Sequence, residues 1–489
     1  MKASNANKVI SVLLSVAMCP MMVPSAAFAA DDDAASDASS PSEQTQSADQ
    51  AEGVDAGASL SGTITPQSEA AGEAASDATP VAGANGEGVE AAPSEEGAEA
   101  VVAEVNGKTY PSLQAAINAA PRKATVKLLA DTKENVTIST SDVTLDLNGY
   151  TLNGGTEKGK PALTVTARVT VMDSSETQTG TIMREDTAEN SGVSSHYVID
   201  IQGAGWLTFE SGNVTNNSGG ESGKGASLVR VGDDSVAKYP GLNIKGGNFT
   251  QNNFVVIKVD SGNLFLNGGT LNSTNSYAIE NWHRATVKGG TVNGAVAAWT
   301  YSGGHNSDLT ISGGTVNGNV ESVTYDGAEG KTAKVSITGG TVNGTLNTVD
   351  YSTGTTSNDP TKATIEVTSG TFSTDPSRYL VEGSAATPNG DGTFGVAKAY
   401  LAQVGETSYY TMDEAFKAQT ASGEAITLLR DYTTGSTFNS GTEARVVDLN
   451  GHTWTCTGTD ANSAAFEINY PNASLTVKNG KVVARNSSA

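Results

Sequence analysis

Aromatic side chains have the most readily interpreted chemistry in this sequence, because they are scarce overall and concentrated in one stretch. Phe, Trp and Tyr make up 6% of the 489 residues. Flat rings with polar edges suit stacking on sugar rings, and a neighbour such as Asn281 can bind hydroxyl groups. We interpret the stretch as a candidate glycan-binding site formed by Tyr277, Trp282, His283, Arg284, Trp299, Tyr301 and Tyr325. The alternative is that these rings pack over insertions or fill corners of the core.

Carboxylates and a histidine offer a second kind of chemistry, polysaccharide hydrolysis, which needs an acid and a base on one face. The nearest candidates are Asp233 and Asp234, with His305 further along the chain. The two aspartates lie in a polar insertion, which favours a solvated loop over a catalytic position. We therefore predict no catalytic residues and keep these three as the candidates if the protein is an enzyme.

A lyase would need several carboxylates around a calcium ion, beside an Arg or Lys that acts as the base. The charged residues available on the stretch from 250 to 350 are Asp260, Glu280, Arg284, Glu321, Asp326 and Asp350. None lies at a repeated offset from the glycine pairs of the repeat, so the sequence places no two of them on one face. Charges solvating an outer surface are the simpler interpretation. We predict no metal site and no cofactor, and calcium only under the lyase alternative.

A repeat determines which elements position these residues. Seven segments share alternating apolar residues, a glycine corner and a second strand start: 207–214, 242–249, 264–271, 285–292, 309–316, 335–342 and 365–372. Their final glycines lie at 212, 247, 269, 290, 314, 340 and 370, which gives steps of 35, 22, 21, 24, 26 and 30 residues. The shortest steps between glycines are nearly equal, and the others are longer by varying amounts. This indicates a coil of fixed length into which loops are inserted.

Such coils predict an all-β fold, a right-handed parallel β-helix. One coil cannot bury its apolar face alone, but stacked coils place like residues over like at about 4.8 Å. The glycines supply the positive φ that a sharp corner requires. Four asparagines near the corners are expected to hydrogen-bond along the stack and to be structural: Asn153, Asn293, Asn317 and Asn343.

The chain enters this β-helix through a predicted cap. Residues 102–110 are typical of a hairpin with Asn-Gly at its turn, and Ser112 is expected to cap a short helix over 112–120 that covers the first coil. The entry is echoed later, since 404–416 resembles 105–117 and 447–453 resembles 145–151. We therefore predict a β-helix over 101–398 and the start of a second, incomplete module over 399–489.

The N-terminal residues predict export. Two lysines, an apolar run over 9–22 and Ala27-Phe28-Ala29 form the order of a signal peptide cleaved after about Ala29. Residues 30–100 are rich in Ala, Ser, Gly and Glu and almost free of large apolar side chains, which predicts a disordered acidic stalk. The formal net charge of -24 argues against nucleic acid as a partner. No later segment is long and apolar enough to predict a transmembrane helix.

Three features together resemble the pectin-lyase-like β-helix superfamily. They are the entry Tyr110-Pro111-Ser112-Leu113-Gln114-Ala115-Ala116-Ile117, the strand Leu145-Asp146-Leu147-Asn148-Gly149 and the Gly-Gly-Thr-Val-Asn-Gly corners. More narrowly, the chain is similar to surface proteins of Gram-positive gut bacteria over about 100–489. The resemblance implies the fold, while the superfamily includes lyases, hydrolases, adhesins and passive stalks. Its polygalacturonase-type pattern has a glycine after the histidine and a downstream Arg-x-Lys, whereas here Asn306 follows His305 and no Arg-x-Lys is present.

The sequence therefore predicts a secreted or cell-surface interaction protein, an adhesin-like β-helix stalk. Its expected partners are host or environmental glycans or other surface proteins. A polysaccharide-processing enzyme, either a pectate-lyase-like lyase or a glycoside hydrolase, is the alternative.

Overall fold

The computed structural model describes residues 101–157, 159–185, 197–216, 227–232, 239–251, 254–325, 328, 330–350, 362–457 and 464–484. The predicted signal peptide 1–29 and acidic stalk 30–100 lie outside the described residues, as do Asp233, Asp234 and Asp326. In the described part, the chain is mostly β-strand, with two α-helices and a 3-10 helix at Ser377–Tyr379.

The entry to the structure is the predicted hairpin and helix. It consists of β1 (Ala103–Val105), β2 (Lys108–Tyr110) and α1 (Leu113–Ala119). Asn106 and Gly107 form the turn with φ values of 53° and 76°, which suits the twist of an antiparallel pair. The Ser112 side chain accepts a hydrogen bond from the Ala115 amide, as expected of a helix N-cap.

The first stack continues with short strands, listed here in chain order. They are β3 (Thr125–Leu128), β4 (Thr132–Lys133), β5 (Val136–Ile138), β6 (Val143–Asp146), β7 (Thr151–Asn153), β8 (Leu163–Val165), β9 (Arg168–Met172), β10 (Thr181–Arg184), β11 (Ile199–Ile201), β12 (Trp206–Phe209), β13 (Asn213–Asn216), β14 (Val229–Val231), β15 (Gly241–Ile244), β16 (Asn248–Thr250), β17 (Ile257–Val259), β18 (Asn263–Leu266), β19 (Thr270–Asn281), β20 (Arg284–Val287), β21 (Thr291–Tyr301), β22 (Ser307–Ile311), β23 (Thr315–Val316), β24 (Val320–Tyr325), β25 (Ala333–Val342), β26 (Leu346–Asp350), β27 (Ala363–Phe372), β28 (Ser384–Pro388) and β29 (Phe394–Lys398).

These strands form three parallel faces, because each strand pairs with the equivalent strand of the next coil. The first face contains β3, β6, β9, β12, β15, β18, β20, β22 and the starts of β25 and β27. The second face contains β4, β7, β10, β13, β16, β23, the starts of β19 and β21 and the ends of β25 and β27. The third face contains β5, β8, β11, β14, β17, β24, β26 and the ends of β19 and β21. This long parallel arrangement is compatible with a β-solenoid.

The register matches the repeat found in the sequence. Leu207 pairs with Leu242, and Leu242 pairs with Leu264. The final glycines of all seven corners have positive φ, between 75° at Gly314 and 133° at Gly370. At Gly290 an added Cβ would lie 2.6 Å from the Gly269 carbonyl oxygen, so a side chain would push neighbouring coils apart. The glycines are therefore required both for the turn and for the close approach of the coils.

The inward residues of the three faces form one apolar core, because alternate residues of each strand point inward. Val, Ile and Leu at these positions are almost entirely inaccessible to solvent. The asparagine prediction is confirmed at three of four positions: Asn293 donates to Asn272, Asn317 to Asn293 and Asn343 to Asn317, at 2.7–2.8 Å. Asn153 instead donates to Glu185, at 2.7 Å.

A second stack has its own buried cluster, between Leu401 and Trp454. Its elements are β30 (Ala402–Val404), β31 (Thr407–Tyr409), α2 (Met412–Ser422), β32 (Ile426–Leu428), β33 (Tyr432–Thr434), β34 (Phe438–Asn439), β35 (Ala444–Asp448), β36 (Thr453–Cys456), β37 (Phe466–Glu467), β38 (Ser474–Lys478) and β39 (Lys481–Ala484). β30 is antiparallel to β31 and β32, as β1 is to β2 and β3. Neither α-helix of the described chain is long and apolar enough to cross a membrane.

Candidate functional site

The third face carries most of the candidate residues on its outward side. In β11, Ile199 and Ile201 belong to the core, so Asp200 between them points outward. The pairing of β11 with β14, β17 and β19 then places four charged residues in one row across the face: Asp200, Arg230, Lys258 and Glu280. Strands that are far apart in sequence thus bring opposite charges together.

The first half of this row is an ion pair with little exposure. Arg230 donates two hydrogen bonds to the Asp200 carboxylate, at 2.9 and 2.8 Å. The exposed fractions of the two side chains are 22% for Arg230 and 4% for Asp200. The Arg230 guanidinium also lies 4.9 Å from the centre of the Tyr197 ring. Burial of the Tyr197 hydroxyl is the largest influence on this group and raises its pKa to about 12.

The second half of the row joins a cation to two carboxylates. Lys258 lies 3.1 Å from Asp260 in an ion pair. Burial acts to lower the pKa of Lys258, but the combined effect of Asp260, Tyr197 and Glu280 is larger, so the pKa is raised. Burial also raises the pKa of Glu280, against the opposing effects of Lys258 and Trp282. Glu280 therefore holds its proton more readily than an exposed glutamate does.

The aromatic residues form a cluster next to this row, which we call the aromatic cluster: Tyr277, Trp282, Trp299, Tyr301 and Tyr325. The Trp282 and Trp299 rings lie 5.3 Å apart, and Tyr277 meets the Trp299 ring edge-on at 5.7 Å. Ala297 and Val323 lie beneath them on the same outward side. The two indoles are 7% and 9% exposed, whereas the three tyrosines are half-buried.

Hydrogen bonds connect the aromatic cluster to carboxylates. The Trp282 indole N–H donates to Glu280 at 2.7 Å. The Tyr277 hydroxyl bonds to Glu321 at 2.6 Å. A turn also lies against Tyr301, since a Cβ added at Gly304 would come within 2.6 Å of its ring. Glycine at this position therefore allows the backbone to approach the tyrosine.

The remaining candidates lie beside the aromatic cluster or away from it. His283 is 8% exposed, and its Nδ1 lies 2.8 Å from the Gly262 carbonyl oxygen. Burial lowers the pKa of His283, so the neutral ring is favoured. His305 meets the His283 ring edge-on at 5.4 Å. Arg284 begins β20 and lies on the first face, where it pairs with Asp308 in register.

The sequence places no two of the candidate carboxylates on one face, whereas the structure brings Glu280 and Glu321 into one row of the third face, on either side of Ala297. A signal was present in the sequence. Lys258 and Glu280 each lie eleven residues after the final glycine of the preceding corner, and Ala297 and Glu321 each lie seven after theirs. A register irregularity in β19 between Asn272 and Tyr277 accompanies the longer spacing.

No group of three or more His, Cys, Asp or Glu side chains in the described part of the chain is arranged to hold a metal ion. Comparisons of the chain with protein-family models, curated proteins and solved structures found no match in any of the three. The function must therefore be argued from the geometry of the third face.

Proposed function

We propose that this chain is an exported cell-surface protein, a right-handed parallel β-helix of the pectin-lyase-like kind, that binds glycans on its third face. The observation that carries the proposal is the aromatic cluster on the outward side of that face. The repeat of corners, alternating strands and inward apolar residues supports the fold. The signal-peptide order of the first residues supports export and a surface location.

The coils do not need the aromatic cluster in order to stack. On the second face the same coils stack with Thr and Asn as their outward residues, for example Thr291 and Asn293 on β21. On the third face the same strand ends in Trp299 and Tyr301. Large rings at positions where small polar residues suffice indicate a role beyond stability.

The ring exposures suggest how a sugar would be held. The two indoles are buried against one another, so they form a rigid base, while the half-buried Tyr277, Tyr301 and Tyr325 provide the accessible edges. Stacking of sugar rings needs such flat surfaces, and adjacent carboxylates can accept hydrogen bonds from hydroxyl groups. Glu280 and Glu321 occupy that position.

The charges favour a neutral glycan over an acidic one. Arg230 and Lys258, the cations of this row, bind Asp200 and Asp260. An acidic sugar would instead approach the Glu321 carboxylate of the same row and be repelled. We therefore expect neutral host or environmental glycans as partners.

A glycan array probed with the full chain tests the proposal. The parent should bind neutral glycans, and Tyr301→Ala or Tyr325→Ala should weaken binding at least about tenfold, equivalent to the loss of one ring contact of roughly 1.4 kcal/mol. Tyr470→Ala, a change of an exposed tyrosine in the second stack, is the matched control and should not alter binding. Circular dichroism would verify that each variant remains folded. No binding by the parent, or equal binding by all variants, would remove the proposal.

Polysaccharide cleavage is the second candidate, favoured by one observation. Glu280, with its raised pKa, lies beside the Lys258–Asp260 pair, and a protonated acid near a carboxylate is the arrangement used in general acid–base catalysis. Incubation with polygalacturonate and with neutral glycans, with and without calcium, tests it. Release of reducing or unsaturated ends that Glu280→Gln abolishes would establish an enzyme in place of a passive binder.

A further inference from the structure

The first stack ends in a contact with the cap of the second stack. The Met412 amide at the start of α2 donates to the Glu382 carboxylate at 2.5 Å. Nearby, the Ala399 amide donates to the Gly383 carbonyl at 2.9 Å, and Arg430 donates to the Ser384 carbonyl. Two residues before the hairpin of β28 and β29, one carboxylate thus reaches across to a helix of the other stack.

In the first stack, the start of the cap helix also binds a glutamate, but that glutamate belongs to the same stack. The Leu113 and Gln114 amides at the start of α1 donate to the Glu134 carboxylate, at 2.8 and 3.1 Å. Leu113 and Met412 are equivalent, since each follows the N-cap residue of its helix, Ser112 or Thr411. In both caps the first amide of the helix donates to a glutamate. In the first cap this glutamate comes from the same stack, and in the second cap it comes from the end of the other stack.

The two caps differ at one equivalent position, Glu134 in the first and Thr434 in the second. Asp131 accepts from the Thr151 amide at 2.7 Å, and Asp431 accepts from the Thr453 amide at 2.9 Å. Three residues later the first stack has Glu134, and the second has Thr434. The Thr434 hydroxyl accepts a local hydrogen bond from Ser436 at 3.0 Å. The second cap thus lacks the carboxylate at the position where the first cap has it.

We propose that the second cap is built to dock on the end of a preceding β-helix module, which supplies through Glu382 the acceptor for the Met412 amide. The cap's own Glu414 accepts from the Tyr410 and Thr411 amides instead. The partner that fits this surface is the terminal hairpin of such a module, with a glutamate followed by a glycine. The glycine matters because Gly383 has a φ of 83° and a Cβ there would lie 3.2 Å from Tyr410. Two hydrogen bonds then join the two stacks, from Met412 to Glu382 and from Arg430 to Ser384, and Gly383 lies close to Tyr410 between them.

Hydrogen exchange of the full chain, read at the Met412 amide, tests this proposal. Glu382→Ala should speed exchange at the first turn of α2 by about two- to thirtyfold, the range expected for loss of a helix-capping acceptor. Exchange in α1 should not change. The matched control, Glu134→Ala, should have the reverse pattern, with faster amide exchange in α1 and an unchanged exchange rate in α2.

The decisive variant restores a carboxylate within the second cap. Glu382→Ala combined with Thr434→Glu should return the Met412 amide to near its original exchange rate, because Thr434 lies at the position of Glu134. Unchanged exchange in Glu382→Ala would show that the contact is not used, and failure of Thr434→Glu to rescue would show that the two caps are not equivalent. Either result overturns the proposal.

Discussion

The second and third faces of the first stack are made by the same coils, and two strands, β19 and β21, run through both. From β13 onward, the outward residues of the second face are small, uncharged Thr and Asn side chains that repeat from coil to coil. On the third face they change from coil to coil and include ion pairs, a carboxyl with a raised pKa and the aromatic cluster. The backbone ladder and inward core are shared, so they cannot account for the difference. The outward side chains of the third face are therefore free to serve a function.

The largest effect is expected from breaking the ion pair of the third face. Arg230→Met leaves the Asp200 carboxylate, only 4% exposed, without its cation and with the hydrogen bond from Gln202. It should lower the free energy of unfolding by about 3 kcal/mol, the low end of the range for a broken buried pair. The Asp200→Leu/Arg230→Met double variant should recover most of that loss, because neither charge remains buried. Urea unfolding measures both. Lys245→Met, which breaks an ion pair with Glu210 that is about half exposed, is the control and should cost less than about 1 kcal/mol.

An intermediate effect is expected from the second face. Asn317 donates to Asn293 and accepts from Asn343, so Asn317→Ala removes two exposed hydrogen bonds from the ladder. The expected loss is about 1 kcal/mol in the free energy of unfolding, measured in the same urea experiment. Asn472→Ala in the second stack, outside the ladder, should have no measurable effect. A loss above that of Arg230→Met would contradict the view that the third face holds the costlier contacts.

The smallest effect is expected at Glu280 and is a change in pH dependence. Because burial raises the pKa of Glu280, this carboxyl contributes stability below its unfolded pKa and that contribution is lost as pH rises through the folded pKa. Glu280→Gln keeps an acceptor for Trp282 and removes the charge. The melting temperature of the variant should therefore gain on the parent as pH rises from about 4 to about 8. A difference that stays constant with pH would show that Glu280 ionises normally.

The sequence predicts the second face better than the third for a physical reason. The corners are adjacent to the second face in sequence, so the spacing of Gly269, Gly290 and Gly314 gives its register directly. The third face follows a segment of variable length, and its strands do not repeat at one offset. The distances of Glu280 and Glu321 from their corners therefore differ, and the glycine spacing alone does not show that the two residues share a row.

The sequence also does not predict that the aromatic residues are buried. Composition alone marks the stretch 277–325 as rich in aromatic residues, and the structure gathers five of its rings into one cluster. That Trp282 and Trp299 are buried against each other depends on strand pairing between residues far apart in the chain. Arg284 shows the opposite outcome, since it lies only two residues after Trp282 in the sequence yet belongs to the first face.

The likeness of the glycine corners has a genetic consequence. Gly247, Gly269, Gly290, Gly314 and Gly340 have φ values between 75° and 83°, so the gene encodes nearly identical corners once in every coil. Unequal recombination between such segments adds or deletes a whole coil and leaves the other corners intact. Each event would change the length of the rod by one strand spacing, about 4.8 Å. Reach is thus a heritable property that can be adjusted in small steps without altering either cap.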